Sequence, residues 1–155
     1  MSKKEKKLLL EELEQEYGER ISSYFEISVP LEEVKTDEGN LLVKNGKVWF
    51  FYINDKILPS IYFMRETGFD LLEVIVDIGA IKFITNGADV MFPGIVAFDE
   101  EIKKGTKVVI KEEKANTIIG VGVSIIDSKN FSKSKKGKAI KLLHHLKDKV
   151  WSFKL

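Results

Sequence analysis

The sequence predicts an α+β protein made of two modules. The first part combines one helical pattern with a strong hairpin signal, and the second part is a series of short strands around one short helix. Charge divides in the same way, because residues 1–73 hold 10 basic and 15 acidic side chains while residues 74–155 hold 15 basic and 9 acidic ones. These modules carry −5 and +6 within a chain of net charge +1, so we expect one domain over residues 1–73 and a second over residues 74–155.

The first module is predicted to be a helix followed by an antiparallel sheet. Ser2 and Glu5 form a capping-box pattern, apolar residues recur at helical spacing from Leu9 to Tyr17, and Gly18 is the expected stop. We expect this helix to pack on its own domain, and a partner-binding helix is the alternative. Asn45-Gly46 predicts a hairpin, because both residues tolerate positive φ. The predicted strands are residues 24–29, 40–44 and 47–53, with the apolar stretch 57–64 pairing beside the hairpin.

The second module is predicted to contain one short helix among strands. Asp77 caps a helix over residues 80–84, Asn86-Gly87 ends it, and residues 91–94 form a turn. Strands are predicted at residues 74–76, 95–98, 107–111 and 118–126. Gly120 and Gly122 lie inside the last of these strands, which indicates a bulge or the close approach of another backbone or a ligand. Periodicity alone fits residues 139–146 to a helix as well as to a strand.

Composition excludes several classes of protein. The chain has no cysteine, which excludes disulfides, thiolate metal sites and thiol catalysis. No apolar run approaches the roughly 18–20 residues that a membrane helix needs, and the N-terminal apolar run is too short for a signal peptide, so we expect a cytoplasmic protein. Its 23 Lys, 2 Arg and 16 Glu fit the composition of thermophiles, and a biased base composition explains them equally well.

No catalytic, metal or cofactor site is predicted. The first module has neither His nor Cys, and no nucleophile or phosphate-loop motif occurs. His144-His145 has no further candidate ligand at a metal-binding spacing, and Gly120 and Gly122 lack the third glycine and the helix of a dinucleotide site. The basic stretch from Ser128 to Lys149 holds eight lysines and one acid. It predicts either a phosphate-binding face or a solvated lysine surface, and charge alone leaves both open.

The second module carries several motifs in a fixed order. It opens with Asp77-Ile78-Gly79-Ala80, a helix, and Gly87-Ala88-Asp89-Val90-Met91-Phe92-Pro93-Gly94, and this opening resembles that of a PUA domain. Val121-Gly122-Val123, Lys136-Gly137-Lys138 and the pair Asp148 and Trp151 follow the pattern of its later strands and its end. With Asn45-Gly46-Lys47-Val48-Trp49-Phe50-Phe51 in the first module, the whole chain resembles the malignant-T-cell-amplified-sequence proteins and their archaeal relatives, which place a pre-PUA domain before a PUA domain.

This resemblance implies a mixed β pseudo-barrel that binds structured RNA through its first helix, the turn after it and its last strand. It therefore favours the strand interpretation of residues 139–146. The implied RNA-binding residues are Lys82, Asn86, Gly87, Ala88, Met91, Pro93 and Gly94 near the first helix, and Lys133, Lys135, Lys136, Lys138 and His144 near the last strand. Turn geometry alone could explain Gly87 and Gly94, and Met91 could belong to the core.

Three functions remain open at this point. The leading hypothesis is a non-catalytic translation factor that binds tRNA or small-subunit rRNA, as the resemblance implies, with the small ribosomal subunit and a partner like density-regulated protein as candidate partners. The second is the RNA-recognition subunit of an RNA-modifying enzyme, and the third is an adaptor that binds only proteins. We expect a monomer without cofactors.

Overall fold

The computed structural model describes residues 1–25, 30–133 and 136–154. Helix α1 spans Lys3–Tyr17, and the Ser2 side chain accepts a hydrogen bond of 3.1 Å from the Glu5 N–H, as the capping pattern predicts. Leu9 and Leu13 are buried against the first domain. Gly18 ends the helix with φ of 90°, a conformation that favours glycine. The predicted helix is therefore confirmed.

The first sheet is an antiparallel meander in the order β1-β2-β3-β4. Its strands are β1 (Leu31–Thr36), β2 (Gly39–Lys44), β3 (Lys47–Ile53) and β4 (Lys56–Pro59). Asn45 and Gly46 connect β2 to β3 with φ of 52° and 76°, which confirms the predicted hairpin.

Two predictions in this domain need correction. The first strand was expected at residues 24–29, but Tyr24 ends a 3₁₀ helix (Glu19–Tyr24), residues 26–29 lie outside the described residues, and β1 begins after Pro30. The apolar stretch 57–64 pairs beside the hairpin only as far as Pro59. Helix α2 (Ile61–Thr67) follows, because the Ser60 hydroxyl caps the Phe63 N–H at 3.0 Å.

The second sheet has six strands in the order β6-β10-β9-β8-β5-β7. They are β5 (Leu72–Val76), β6 (Val90–Met91), β7 (Ile95–Phe98), β8 (Lys107–Glu112), β9 (Ile118–Ser124) and β10 (Lys138–His145). β5 and β8 run parallel and the other neighbours antiparallel, so the sheet is mixed. Between β5 and β6 lie a 3₁₀ turn (Ile78–Ala80) and helix α3 (Ile81–Ile84), and the whole fold is α+β as predicted.

The two glycines of β9 are required by close packing. A Cβ on Gly122 would lie 2.4 Å from the carbonyl oxygen of Lys141 on β10, and one on Gly120 would lie 3.0 Å from the Leu142 side chain. β9 and β10 also shift register between Leu142 and His144. The predictions of a close backbone approach and of a strand at residues 139–146 are both confirmed.

The central strands of the second sheet, β8 and β9, are buried on both faces. Val108 and Ile110 on β8 pack in the core of the second domain. Val109, which lies between them, belongs to the core of the first domain together with Val121 of β9. The two domains therefore share apolar packing.

His144 of β10 lies at the contact between the two domains and binds to the first one. Its side chain is 0% exposed, its Nε2 accepts a hydrogen bond of 3.1 Å from the Ile61 N–H of α2, and its ring meets Phe51 edge to face. Because an amide N–H only donates, Nε2 carries no proton and the imidazole is neutral. Its Nδ1 then donates to the Asp148 carboxylate at 2.8 Å. Burial lowers the pKa of His144 even though Asp148 opposes this effect.

Ion pairs also join the domains and the segment between them. Lys107 contacts Glu16 at 2.7 Å, and the buried Lys111 contacts Asp70 and Glu73 at 2.8 and 2.7 Å. Asp70 lies in the connection between α2 and β5, so Lys111 fixes that connection against β8. Exposed pairs contribute only about 0–1 kcal/mol each, so apolar burial remains the main interaction between the domains.

We predict that stability falls as the pH is lowered below about 6.5, the ordinary pKa of histidine. The unfolded chain takes up a proton on His144 there, whereas the folded chain holds this ring neutral, so the free energy of unfolding decreases by up to about 1.4 kcal/mol per pH unit. Urea unfolding between pH 7.5 and 5.5 measures this slope. His144→Gln should flatten it while lowering overall stability, and His145→Gln is the matched control. An unchanged slope in His144→Gln contradicts the assignment.

Candidate RNA-binding surface

A groove of about 810 Å³ lies between α3, the turn after β6 and the beginning of β10. We call it the α3 groove. Its lining residues are Asp77, Gly79, Ala80, Phe83, Ile84, Gly87, Ala88, Asp89, Val90, Met91, Pro93, Gly94 and Lys138. The groove therefore brings together six of the predicted site residues.

Local sequence explains the shape of the groove. The Asp77 carboxylate caps the Ala80 N–H at 3.0 Å and so starts the helical turn that forms one wall. Gly87 ends the short helix with φ of 96°, and a Cβ there would lie 3.4 Å from Nε2 of His145. Small residues at these positions leave the backbone open to a ligand.

The predicted lysines lie in two segments of the chain, helix α3 and the residues around the beginning of β10. Lys138 lines it, pairs with Met91 across the β6–β10 ladder, and follows Gly137, whose carbonyl accepts from the Phe92 N–H at 3.0 Å. Lys133 and Lys136 are exposed on the loop before β10, and Lys135 lies outside the described residues. On the α3 side Lys82 and Asn86 are exposed but do not line the groove.

Asp89 is a groove residue that the sequence reasoning missed. Its carboxylate accepts a hydrogen bond of 2.8 Å from the Leu142 N–H and contacts the ammonium groups of Lys138 and Lys141 at 3.2 and 3.8 Å. Burial opposes the charged form, but the Leu142 hydrogen bond and the two lysines outweigh it and lower the pKa of Asp89. Asp89 therefore fixes the wall formed by β10 and neutralises part of the positive charge there.

His144 does not belong to this surface, so its expected RNA contact is wrong. Its side chain is fully buried against the first domain, because this face of β10 is covered rather than exposed. His145 is the residue of the pair that approaches Gly87. Alternation on a strand indicated that at most one of them could face the groove, but it could not indicate which one.

Phe83 is a second groove residue that the sequence reasoning missed. It lines the groove and is 58% exposed, whereas its neighbour Ile84 is 2% exposed in the core. Periodicity could not have distinguished the two, because successive residues of a helix can both be buried, as Phe63 and Met64 of α2 are.

The described part of the chain shows neither a cluster of metal-binding side chains nor a helix that could cross a membrane. No group of three or more His, Asp or Glu side chains there is placed to hold a metal ion. None of the helices in residues 1–25, 30–133 and 136–154 is long and apolar enough to cross a membrane.

Comparisons with known proteins agree with this architecture. A family model described as PUA domain matches residues 73–146, and one described as a domain of unknown function, DUF1947, matches residues 1–67. A solved structure of a conserved PUA domain protein from Thermoplasma acidophilum aligns with a TM-score of 0.77 and 31% identity, covering 98% of this chain and 95% of its own.

Sequence relatives come from archaea and eukaryotes. An uncharacterized protein of Methanocaldococcus jannaschii is 38% identical over 99% of this chain and 94% of its own length. Translation machinery-associated protein 20 of Saccharomyces cerevisiae is 32% identical over 76% of this chain and 68% of its own length. Malignant T-cell-amplified sequence 1-B of Xenopus laevis is 30% identical over 81% of this chain and 72% of its own length.

The fold and the groove define a two-domain PUA protein, and the PUA domain is an RNA-binding domain. The chain belongs to the family of the malignant-T-cell-amplified-sequence proteins and translation machinery-associated protein 20. Translation machinery-associated protein 20 is associated with translation by name, and the predicted family and architecture are confirmed.

We predict that Asp89→Ala destabilises the fold more than Asp89→Asn. Alanine leaves the Leu142 N–H without its acceptor, which costs about 1–3 kcal/mol for a buried donor. Asparagine keeps an acceptor oxygen but loses the attraction to Lys138 and Lys141, so a smaller loss is expected. Urea unfolding of both variants measures the difference, and equal stabilities would show that Asp89 does not hold β10 through this bond.

Proposed function

We propose that this protein is a non-catalytic, translation-associated factor that binds structured RNA, either tRNA or small-subunit rRNA, through the α3 groove and its lysines. The observation that carries the proposal is the position of this groove. It is lined by small residues and by Lys138, one of its walls is the helix α3 that carries the exposed Lys82, and it lies in the half of the chain with a net charge of +6. Lysines supply contacts to phosphates, and the glycines allow a sugar–phosphate backbone to approach closely.

The charge distribution supports an orientation on the RNA. The first domain carries −5, so it is repelled by phosphates and faces protein or solvent. The second domain presents its basic side to the RNA. Screening at physiological salt limits these effects to about 8 Å, and therefore the local lysines decide binding.

The histidines support a role without catalysis. His144 has both ring nitrogens engaged and is sealed from solvent, and Nδ1 of His145 contacts the Leu146 carbonyl at 2.8 Å. One of the relatives, translation machinery-associated protein 20, is associated with the translation machinery by name. We further propose a cytoplasmic monomer that acts at the small ribosomal subunit, with a protein like density-regulated protein as a candidate partner.

We predict that the triple variant Lys82→Glu, Lys133→Glu and Lys136→Glu loses most of its affinity for structured RNA. These three side chains are exposed and take no part in the ion pair of Asp89, so the fold should persist. If each contacts one phosphate, the slope of log K against log salt falls by about 2–3 units. Filter binding of a folded RNA over a salt series measures both quantities.

The matched control places the same charge change on the first domain. Lys4→Glu, Lys35→Glu and Lys56→Glu alter three exposed lysines far along the chain from the groove. We expect little change in slope from this variant. Equal losses from both variants would mean that net charge, not the groove, controls binding, and an unchanged affinity in the groove variant would refute the proposed face.

The cellular role is tested by affinity capture of the tagged full chain from its native lysate. The proposal predicts that small-subunit proteins and their RNA are captured and that the groove triple variant loses them. An RNA-modifying enzyme captured at fixed stoichiometry would contradict the translation role and favour the recognition-subunit hypothesis. Capture of proteins alone, unaffected by nuclease or by the groove variant, would favour the adaptor.

A further inference from the structure

A second concave surface, separate from the α3 groove, lies between the two domains. It has a volume of about 720 Å³ and is lined by the β1–β2 turn and β3 on one side, and by the end of β10 and the residues after it on the other. We call it the interdomain cleft. Among the described residues only Gly87 lines both the cleft and the α3 groove. Contacts between domains are a preferred place for ligands, and the proposed RNA binding does not use this one.

Apolar side chains of both domains line the interdomain cleft. Phe51 of β3 and Leu142 of β10 are almost fully buried there. Leu143, Val150 and Phe153 also line the cleft, and they pack against the core of the first domain while staying only half-buried. These three side chains therefore keep apolar surface in contact with water, and an apolar side chain of a ligand would cover it favourably.

Charged side chains of opposite sign line the two sides of the cleft. Asp37 and Glu38 belong to the turn between β1 and β2, whereas Lys147 and Lys149 follow β10. The Lys149 ammonium group contacts the Glu38 carboxylate at 2.6 Å, and this ion pair joins the two domains. Asp37 and Lys147 form no ion pair with another described residue. The cleft is thus acidic on the side of the first domain and basic on the side of the second.

This arrangement fits a peptide better than it fits RNA. The acidic side repels phosphates, and the exposed apolar surface has no counterpart on a sugar–phosphate backbone. A peptide can present an acidic side chain to Lys147 and Lys149 and a basic one to Asp37 and Glu38. Because exposed ion pairs are weak, the Glu38–Lys149 pair opens easily and makes both of its charges available to a ligand.

We propose that the interdomain cleft binds an extended segment of a partner protein in which a large apolar residue lies between an acidic and a basic residue. The apolar side chain packs on Leu143, Val150 and Phe153, and the flanking charges replace the Glu38–Lys149 pair with one pair on each domain. The inference goes beyond the proposed RNA binding and does not require it, because the two surfaces use different side chains.

The test begins with phage display of random peptides against the full chain. The selected peptides are then synthesised with a fluorescent label, and their Kd is measured by fluorescence anisotropy. We expect them to share a large apolar residue between one acidic and one basic residue. Replacing that apolar residue of the peptide by serine should weaken binding by about 10- to 150-fold, because its burial is lost.

A charge exchange in the protein locates the binding site. The double variant Glu38→Lys and Lys149→Glu keeps both the ion pair and the net charge, so its melting temperature and its affinity for RNA should not change. Its affinity for the selected peptides should fall by about 10-fold or more, because two attractive contacts become repulsive. A peptide with its own acidic and basic residues exchanged should regain affinity for this variant.

The matched control exchanges another ion pair between the domains, which lies outside the cleft. The double variant Glu16→Lys and Lys107→Glu alters a pair of similar length, 2.7 Å, and neither residue lines the cleft. Peptide affinity should be unchanged in this control. An equal loss in both exchanges would mean that the arrangement of the domains, and not the cleft, controls peptide binding, and this would overturn the inference.

Other outcomes also overturn it. Failure to select any peptide refutes the inference, and so does equal affinity of the selected peptides for wild-type protein and for the Glu38 and Lys149 exchange. A loss of RNA affinity in that exchange would assign the cleft to RNA. A wild-type dimer in analytical ultracentrifugation that the exchange dissolves would assign the cleft to a second copy of the chain.

Discussion

The burial of β8 and β9 on both faces is the constraint on which the rest of the structure depends. Val109 and Val121 belong to the first domain's core, while Val108 and Ile110 belong to the second domain's. Beside them on β10 the His144 side chain is fully buried, and its neutral ring is tolerated there only because both of its nitrogens are hydrogen-bonded. The first domain is thus part of the scaffold that holds the PUA domain.

Strand β10 connects the buried strands to the proposed RNA-binding groove. Within its eight residues it carries Lys138 at the groove, Ile140 in the second core and His144 at the contact between domains. The Asp89 carboxylate holds the strand at the Leu142 N–H, between those two ends. A shift of β10 therefore moves the groove lysine and the contact between the domains together. The glycines of β9 allow β10 to approach closely, because a Cβ at these positions would clash with it.

Elements that depend on local interactions could be predicted from the sequence, whereas features that depend on tertiary packing could not. Asn45-Gly46 dictates its hairpin through backbone conformation alone, and Ser2 caps α1 through one nearby donor. Helix α2 was missed because the stretch 57–64 is apolar on both sides of Ser60, so the single polar residue that caps the helix was taken as part of one strand. The burial of His144 depends on Ile61 and Phe51, which are distant in sequence, so no pattern within β10 reveals it. The groove residues near α3 were predictable because the family pattern is continuous there.

The net charge of +1 does not describe the local charge at the α3 groove. A phosphate in the α3 groove responds to charges within roughly a Debye length, about 8–10 Å, so the acidic first domain does not cancel the lysines beside the groove. Asp89 does act within that range, and it holds Lys138 and Lys141 close to the groove wall. Its negative charge lowers the local potential but orders two cations that would otherwise move freely on long side chains. Because ordering a lysine in advance reduces the entropy lost on binding, an acid inside the basic face is compatible with RNA recognition.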